Sequence, residues 1–303
     1  MDILQEHLVR ARATGGVFAR SVAAPPWGLR MPGEIQLAVH AVTRGHAWIR
    51  VDDGTDPIEL EPGDLALVKG GADHIIAHRP DAEALTHDEF AIRHPADTEP
   101  IDPDSSVFLC GAYRFPGDIG RSLVDALPQL LRLRASADDP VQGVVALVSR
   151  EMVNDSPGKQ TVLDRLLDIL VVYGLRTGLT QSTSPPPWLR AASDPRLTAA
   201  LHAIHSSPDT AWTVDELAGL SAMSRASFAR VFRAAVGQSP MQYLSDWRMT
   251  LARDYLSSGT MPLAHIAAKV GFSSVYAFGA AFRRHHNEAP GQWRRRTGTS
   301  ATR

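Results

Sequence analysis

The sequence has one cysteine, Cys110, so it can form no internal disulfide. No apolar run approaches the ~18 residues that a membrane span needs. The N-terminus, Met1-Asp2-Ile3-Leu4-Gln5-Glu6, carries acids and lacks the apolar core of a secretory leader. Together these absences argue against a disulfide-stapled or membrane-embedded chain and make a reducing cytoplasm the expected compartment. Aromatic residues are sparse at 7%, and charged residues are 21% of the chain against 44% hydrophobic. That balance excludes disordered, collagen-like and coiled-coil designs. At about 150 residues per domain, 303 residues correspond to roughly two domains.

Net charge is small, −2, but unevenly placed. Trp212–Arg303 holds 12 Lys and Arg against 5 Asp and Glu, while the preceding 211 residues hold 19 against 28. An acidic front and a basic back imply two tasks, and the basic part suits a polyanion.

Patterning separates the same two parts. Residues 2–14 read as a short helix with Ile3, Leu4, Leu8 and Ala11 on one side. From about 34 to 115, short apolar runs alternate with turn signals such as Asp53-Gly54, Pro62-Gly63 and Gly70-Gly71. This is the texture of a β-sandwich or barrel. Beyond Pro116 the period becomes helical, over about 119–133, 141–153 and 161–177. In the last of these, apolar residues cover more than half the circumference, so the helix is either buried in its own domain or half of a dimer contact. Thr180-Gln181-Ser182-Thr183-Ser184-Pro185-Pro186-Pro187 is the clearest linker. The expected organisation is an N-terminal domain over 1–178, a linker over 179–189 and a C-terminal domain over 190–303.

The C-terminal part contains a repeat. Leu217-Ala218, Ser224, Phe228 and Phe232 return as Ile266-Ala267, Ser274, Phe278 and Phe282, at an offset of 49 before the turn and 50 after it. Each copy predicts a short helix, a tight turn holding Ala222 or Gly271, and a second helix capped by Ser224 or Ser274. Gly237 and Asn287 suit the left-handed position that ends the second helix. Pro240 and Pro262 suit helix starts. Helix, tight turn and capped helix make the helix-turn-helix unit. Two copies joined by a helix over about Met241–Leu256 would serve successive major grooves of double-stranded DNA.

This region, roughly 195–297, resembles the DNA-binding domain of the AraC/XylS family of bacterial transcription regulators. The resemblance is carried above all by Val270-Gly271-Phe272-Ser273-Ser274 and the stretch through Pro290-Gly291-Gln292-Trp293. It implies binding to promoter DNA and an encounter with RNA polymerase. On the first recognition helix the expected contacts are Arg225, Ala226, Ser227, Ala229, Arg230 and Arg233. Arg230 falls where relatives place a base-reading arginine, and arginine can donate two hydrogen bonds to guanine. Arg225 and Arg233, nearer the ends, are expected on phosphates. On the second helix they are Ser274, Val275, Tyr276, Gly279, Arg283 and Arg284. There Ala280 replaces the matching arginine, so Val275 and Tyr276 are expected to contact thymine methyls or follow groove shape. Arg294-Arg295-Arg296 are expected to add charge for phosphates.

In the β-rich part, Gly63, Lys69, Gly71, His74 and His78 resemble the second motif of the cupin barrel, with Lys69 and His78 in place of the usual proline and asparagine. His40 falls at the first histidine of the first motif, and Val42 and Ala47 at two further metal-ligand positions. The resemblance implies a cupin-type sensor domain like that of some AraC relatives. The fold class is therefore α+β: a cupin-like barrel with appended helices, then an all-α double helix-turn-helix domain. A small barrel suits one small ligand, for which His40, Trp48 and His74 are the candidate contacts. His40, His74 and Cys110 are the candidate donors for a metal such as zinc, with His46 as another. A cupin oxygenase needs two histidines and a carboxylate, and Ala47 occupies the carboxylate position, so no enzyme is expected. The expected function is a homodimeric, effector-controlled transcription regulator. A dimer with a purely structural barrel is the alternative.

Overall fold

The computed structural model describes residues 14–95, 102–115, 118–134, 140–181, 191, 194–257 and 261–298. The helix expected over 2–14 and most of the expected linker lie outside these residues. The chain divides into two compact units, one of Ala13–Phe115 with Leu123–Thr183, the other principally Ser184–Arg303.

The first unit is built on two antiparallel sheets. The strands are β1 (Thr14–Ala23), β2 (Gly28–Met31), β3 (Leu37–Arg44), β4 (Ala47–Val51), β5 (Ile58–Leu60), β6 (Leu65–Lys69), β7 (His74–Ala77), β8 (Ser106–Arg114) and β9 (Leu130–Leu133). One sheet runs β1-β8-β3-β6-β9 and the other β2-β7-β4-β5. Alternation decides what each face does. Ala38, Val42, Ala66, Val68 and Phe108 of the first sheet meet Leu29, Ala47, Ile49, Val51 and Ile76 of the second in one core. Trp27 stacks on Phe108 within it, ring centroids 4.7 Å apart. The opposite face of the larger sheet is also apolar: Leu37, Val39, Leu65, Leu67 and Leu109 are almost fully buried. A sheet buried on both sides needs helices over its outer face.

The helices in this part of the chain are α1 (His87–Arg93), α2 (Asp118–Asp125), α3 (Pro140–Val153) and α4 (Lys159–Gln181). Helix α4 contacts α3, β1 and β9. It buries Leu163, Leu167, Leu170, Val171 and Leu175. That decides most of the circumference in favour of burial within the unit, and leaves Val162 and Ile169 exposed. It also continues three residues into the expected linker.

One expected helix is wrong. Residues 119–133 split into α2 and strand β9, which pairs with β6. Pro128 disfavours helical backbone at Leu127. Beyond it, Leu131 and Leu133 alternate with half-buried neighbours, as a half-covered strand requires.

The second unit is helical where described: α5 (Thr198–Ser206), α6 (Val214–Leu220), α7 (Arg225–Val236), α8 (Pro240–Ser257), α9 (Leu263–Lys269), α10 (Val275–His286) and α11 (Pro290–Gly298). Leu217 and Ala218 on α6 are buried, as are Ile266 and Ala267 on α9; Phe228, Phe232, Phe278 and Phe282 are fully enclosed. The turns are copies in detail. Met223 N–H donates to Ala218 O at 3.0 Å, and Phe272 N–H to Ala267 O at 2.9 Å. The positive φ falls at Ala222 (+49°) in one and Gly271 (+77°) in the other. The extra residue therefore lies between Gly271 and the cap Ser274. Ser224 and Ser274 each accept an N–H from three residues on. Gly237 and Asn287 close their helices at φ +87° and +57°. Pro240 begins α8, whereas Pro262 is the residue before α9 rather than its first.

Candidate nucleic-acid interface and barrel interior

Helix α7 can present a basic face because its large apolar residues turn inward. Phe228, Val231, Phe232 and Val236 are buried, leaving Arg225, Ala226, Arg230 and Arg233 exposed, with Ser227 and Ala229 half-buried. Among the described residues Arg230 and Arg233 have no side-chain partner. Arg225, expected on a phosphate, has an intrachain partner. Its Nη1 lies 2.9 Å from Asp215 Oδ2 on α6. Both groups are exposed, so this pair contributes at most about 1 kcal/mol and a phosphate can compete for the arginine.

Helix α10 has a different surface. Tyr276 is 87% exposed and Val275 42%. Ala280 is exposed where α7 carries Arg230, and Gly279 is half-buried. Ser274 is committed to capping through its hydroxyl oxygen. Arg283 and Arg284 are exposed in the last turn. Charge at that end also complements the helix dipole.

Two arginines of the Arg294–Arg296 run have partners within the chain. Arg294 donates to Met261 O at 2.7 Å. Arg296 pairs with Glu288 and lies 4.4 Å from the Trp293 ring, as does Arg253 from α8. Of the two guanidiniums on this indole, only Arg253 comes from another helix, and it ties α11 to α8. His285 similarly bonds Asp246 on α8 at 3.1 Å.

One residue missed from sequence is Arg248, on α8. Its Nε donates to Pro208 O at 2.6 Å and its Nη2 to Thr210 O at 2.8 Å. Those carbonyls precede α6, and the same guanidinium lies against Gly271 in the second turn. Nothing in a lone arginine within an amphipathic helix signals this role. A signal that was available is the capping box Thr213-x-x-Glu216, whose reciprocal bonds start α6.

In the barrel, β3, β7 and β8 place His40, His74 and Cys110 on the inward face. His40 Nε2 lies 2.8 Å from His74 Nε2, and His40 Nδ1 3.0 Å from Cys110 Sγ. All three are buried. Burial holds the His40 pKa well below that of a free histidine, helped by His74, and pushes His74 down to about 4. Burial drives the Cys110 thiol up to about 12. The trio is thus a chain of neutral hydrogen-bonding groups at neutral pH, and Cys110 is no nucleophile.

The donor set does not fit a metal. Cys110 sits on the far nitrogen of His40, so the three donors do not converge on one point. The His40 and His74 nitrogens share a hydrogen bond instead. Among the described residues no group of three His, Cys, Asp or Glu is arranged to hold a metal ion. The expected zinc donors are corrected accordingly. His46 is exposed in the β3–β4 turn, away from the pair. Trp48 is corrected too. It stands opposite Ala77 and Glu59, on the face away from Ala47, Ile49 and Val51, and does not line the interior.

Beside the trio lies a cavity of about 280 Å³. It opens between the β1–β8 edge of one sheet and β2 of the other, under α1. Leu29, Met31 and Phe90 supply its apolar wall, and Ser21, His87 and His94 its polar groups. Cys110 belongs to the wall as well, so the cavity and the histidine pair share a side chain. Helix α1 was missed from sequence, although its capping box Thr86-x-x-Glu89 is a readable start signal.

Residues 2–180 match the Cupin family, and residues 217–296 match the Helix-turn-helix domain family. Over 301 residues the chain is 30% identical to an AraC-like transcription regulator of Streptomyces antibioticus, covering 97% of this chain and 99% of that protein. The chain belongs to the AraC-like transcription regulators. The HTH-type transcriptional regulator AlkR of Acinetobacter baylyi is 31% identical over 284 residues, 89% of this chain and 92% of its own. Among solved structures, the DNA-binding domain of AdpA in complex with a target DNA is 30% identical, covers 34% of this chain and 91% of its own, and has a TM-score of 0.32. By its family matches and these relatives, this AraC-like regulator is a DNA-binding transcription regulator with a cupin N-terminal region. Among its described residues no helix is long and apolar enough to cross a membrane.

Proposed function

We propose that this regulator reads DNA asymmetrically and that a small molecule in the barrel cavity controls the reading. In this account 1–178 form the sensor, 179–189 the linker and 190–303 the DNA-binding domain. Helices α7 and α10 enter successive major grooves, which lie ~34 Å apart on one DNA face. The 18 residues of α8 that join the two copies rise about 27 Å, a comparable length. Arg230 reads guanine in one half-site. Arg233, Arg283 and Arg284, and Arg225 once released from Asp215, hold phosphates. Val275 and Tyr276 touch thymine methyls in the other half-site. The observation that carries this reading is the pairing of two turns with matching hydrogen bonds and unlike surfaces, an unpartnered Arg230 against Ala280.

Effector control requires a ligand that binds two sensor states unequally and so shifts the DNA-competent population. The exposed Val162 and Ile169 on α4 support homodimerisation through that helix. The cytoplasm, an encounter with RNA polymerase at the promoter, and a regulatory rather than catalytic task complete the proposal. Fluorescence anisotropy on promoter fragments, with Arg230→Ala beside the parent protein, tests it. Loss of sequence preference in one half-site supports the reading, and equal information in both half-sites contradicts it.

A further inference from the structure

The register of the β1 edge decides what the cavity can hold. Arg20 is the one permanently charged residue on its boundary. Yet Arg20 stands opposite Leu109, while Ala19 stands opposite Cys110 and Ser21 opposite Phe108. Cys110 and Phe108 point into the barrel core. Side chains opposite each other in a ladder share a face, so Ala19 and Ser21 point inward and the Arg20 side chain leaves on the outer face. The cavity therefore has no guanidinium to offer, only backbone from that position.

The remaining polar groups, Ser21, His87 and His94, carry no permanent charge. His87, at the mouth, lies 3.6 Å from the carboxylate of Asp88. His94 is held below the usual histidine pKa, chiefly by burial and then by Arg93, so its ring is neutral near pH 7. Its Nε2 is buried with no hydrogen-bond partner among the described residues. Against these stand Leu29, Met31, Phe90 and Ala112. A carboxylate brought into such a site loses its water and meets no countercharge. An apolar body with one hydroxyl or N–H loses little, and a small rotation of His94 supplies its partner.

We propose that the barrel cavity binds a small, uncharged, largely apolar molecule carrying a single hydrogen-bonding group, and excludes carboxylates of the same shape. This rests on the effector reading above and gives it a chemical class.

The test uses the full chain with 2-naphthol, indole and cyclohexanol as neutral probes and 2-naphthoate as the charged isostere. Calorimetry and thermal shift are the readouts. At least one neutral probe is expected to bind with Kd below about 1 mM, and 2-naphthoate at least about tenfold more weakly than 2-naphthol. Ala91→Trp, on the exposed cavity side of α1, fills the mouth and is expected to abolish neutral-probe binding without lowering Tm. Arg20→Met is expected to leave it unchanged. The proposal is overturned if no neutral probe binds. It is equally overturned if 2-naphthoate binds as tightly as 2-naphthol and Arg20→Met removes that binding. Operator affinity measured in parallel separates the two readings. Neutral-probe binding that leaves operator affinity unmoved upholds the cavity assignment and overturns effector control.

Discussion

The Arg248 guanidinium packs so closely on Gly271 that a Cβ on the glycine would stand 2.6 Å from Nη2. It is also pinned by the carbonyls of Pro208 and Thr210. One side chain of the joining helix thus touches the approach to the first helix-turn-helix and the turn of the second. Gly271→Ala introduces both this contact and a left-handed alanine at φ +77°. It is expected to cost about 1–3 kcal/mol, read as a lower denaturation midpoint. An unchanged midpoint would mean that Arg248 moves aside freely and does not brace the two helix-turn-helix copies.

The equivalent position in the first copy predicts the opposite sign. Ala222 already sits at φ +49°, where a Cβ is penalised. Ala222→Gly removes that penalty and adds unfolded-state entropy, for a net gain of up to about 1 kcal/mol. Urea unfolding measures it. A loss of stability would show that the alanine methyl contributes packing the turn needs.

The two recognition helices should respond differently to arginine. Arg230→Ala is expected to cost about 1–3 kcal/mol of specific affinity and to relax one half-site. Ala280→Arg, which restores the matching residue, is expected to gain affinity and information in the other. Binding-site selection with both variants checks the pair.

Acid should loosen the barrel first. His74 titrates near 4 when folded and near 6.5 when unfolded. The unfolded chain thus takes up the proton first as pH falls, and the stability present above pH 6.5 is lost between about 6.5 and 4. At about 1.36 kcal/mol per pH unit the loss from this residue is on the order of 3 kcal/mol, and His40 adds in the same direction. His74→Gln should flatten the profile of the first unit while leaving that of the helical unit unchanged. A parent profile already flat over this window would contradict the neutral pair.

How much of this was legible depended on whether local sequence carried the cause. The helix-turn-helix copies were, because caps, left-handed positions and i, i+4 phenylalanines are all local signals. Ser224, Ser274, Gly237 and Asn287 stand where their chemistry requires. The inward trio was half legible. Motif spacing found His40 and His74, but only strand register shows that Cys110 meets the far nitrogen of His40 and that Trp48 faces outward. Strand β9 was lost because Leu130–Leu133 is too short to separate a strand from a helix by periodicity. Arg248 and Arg294 bond carbonyls more than thirty residues away, which no local pattern announces.

The account rests on two capped helices holding adjacent major grooves. The most direct measurement is the affinity of the full chain for its own promoter fragments across a salt series, with competing random DNA. The account predicts a preference for a promoter sequence spanning two half-sites about one helical turn apart, with log affinity falling linearly in log salt. Binding that shows neither sequence preference nor salt dependence would contradict it.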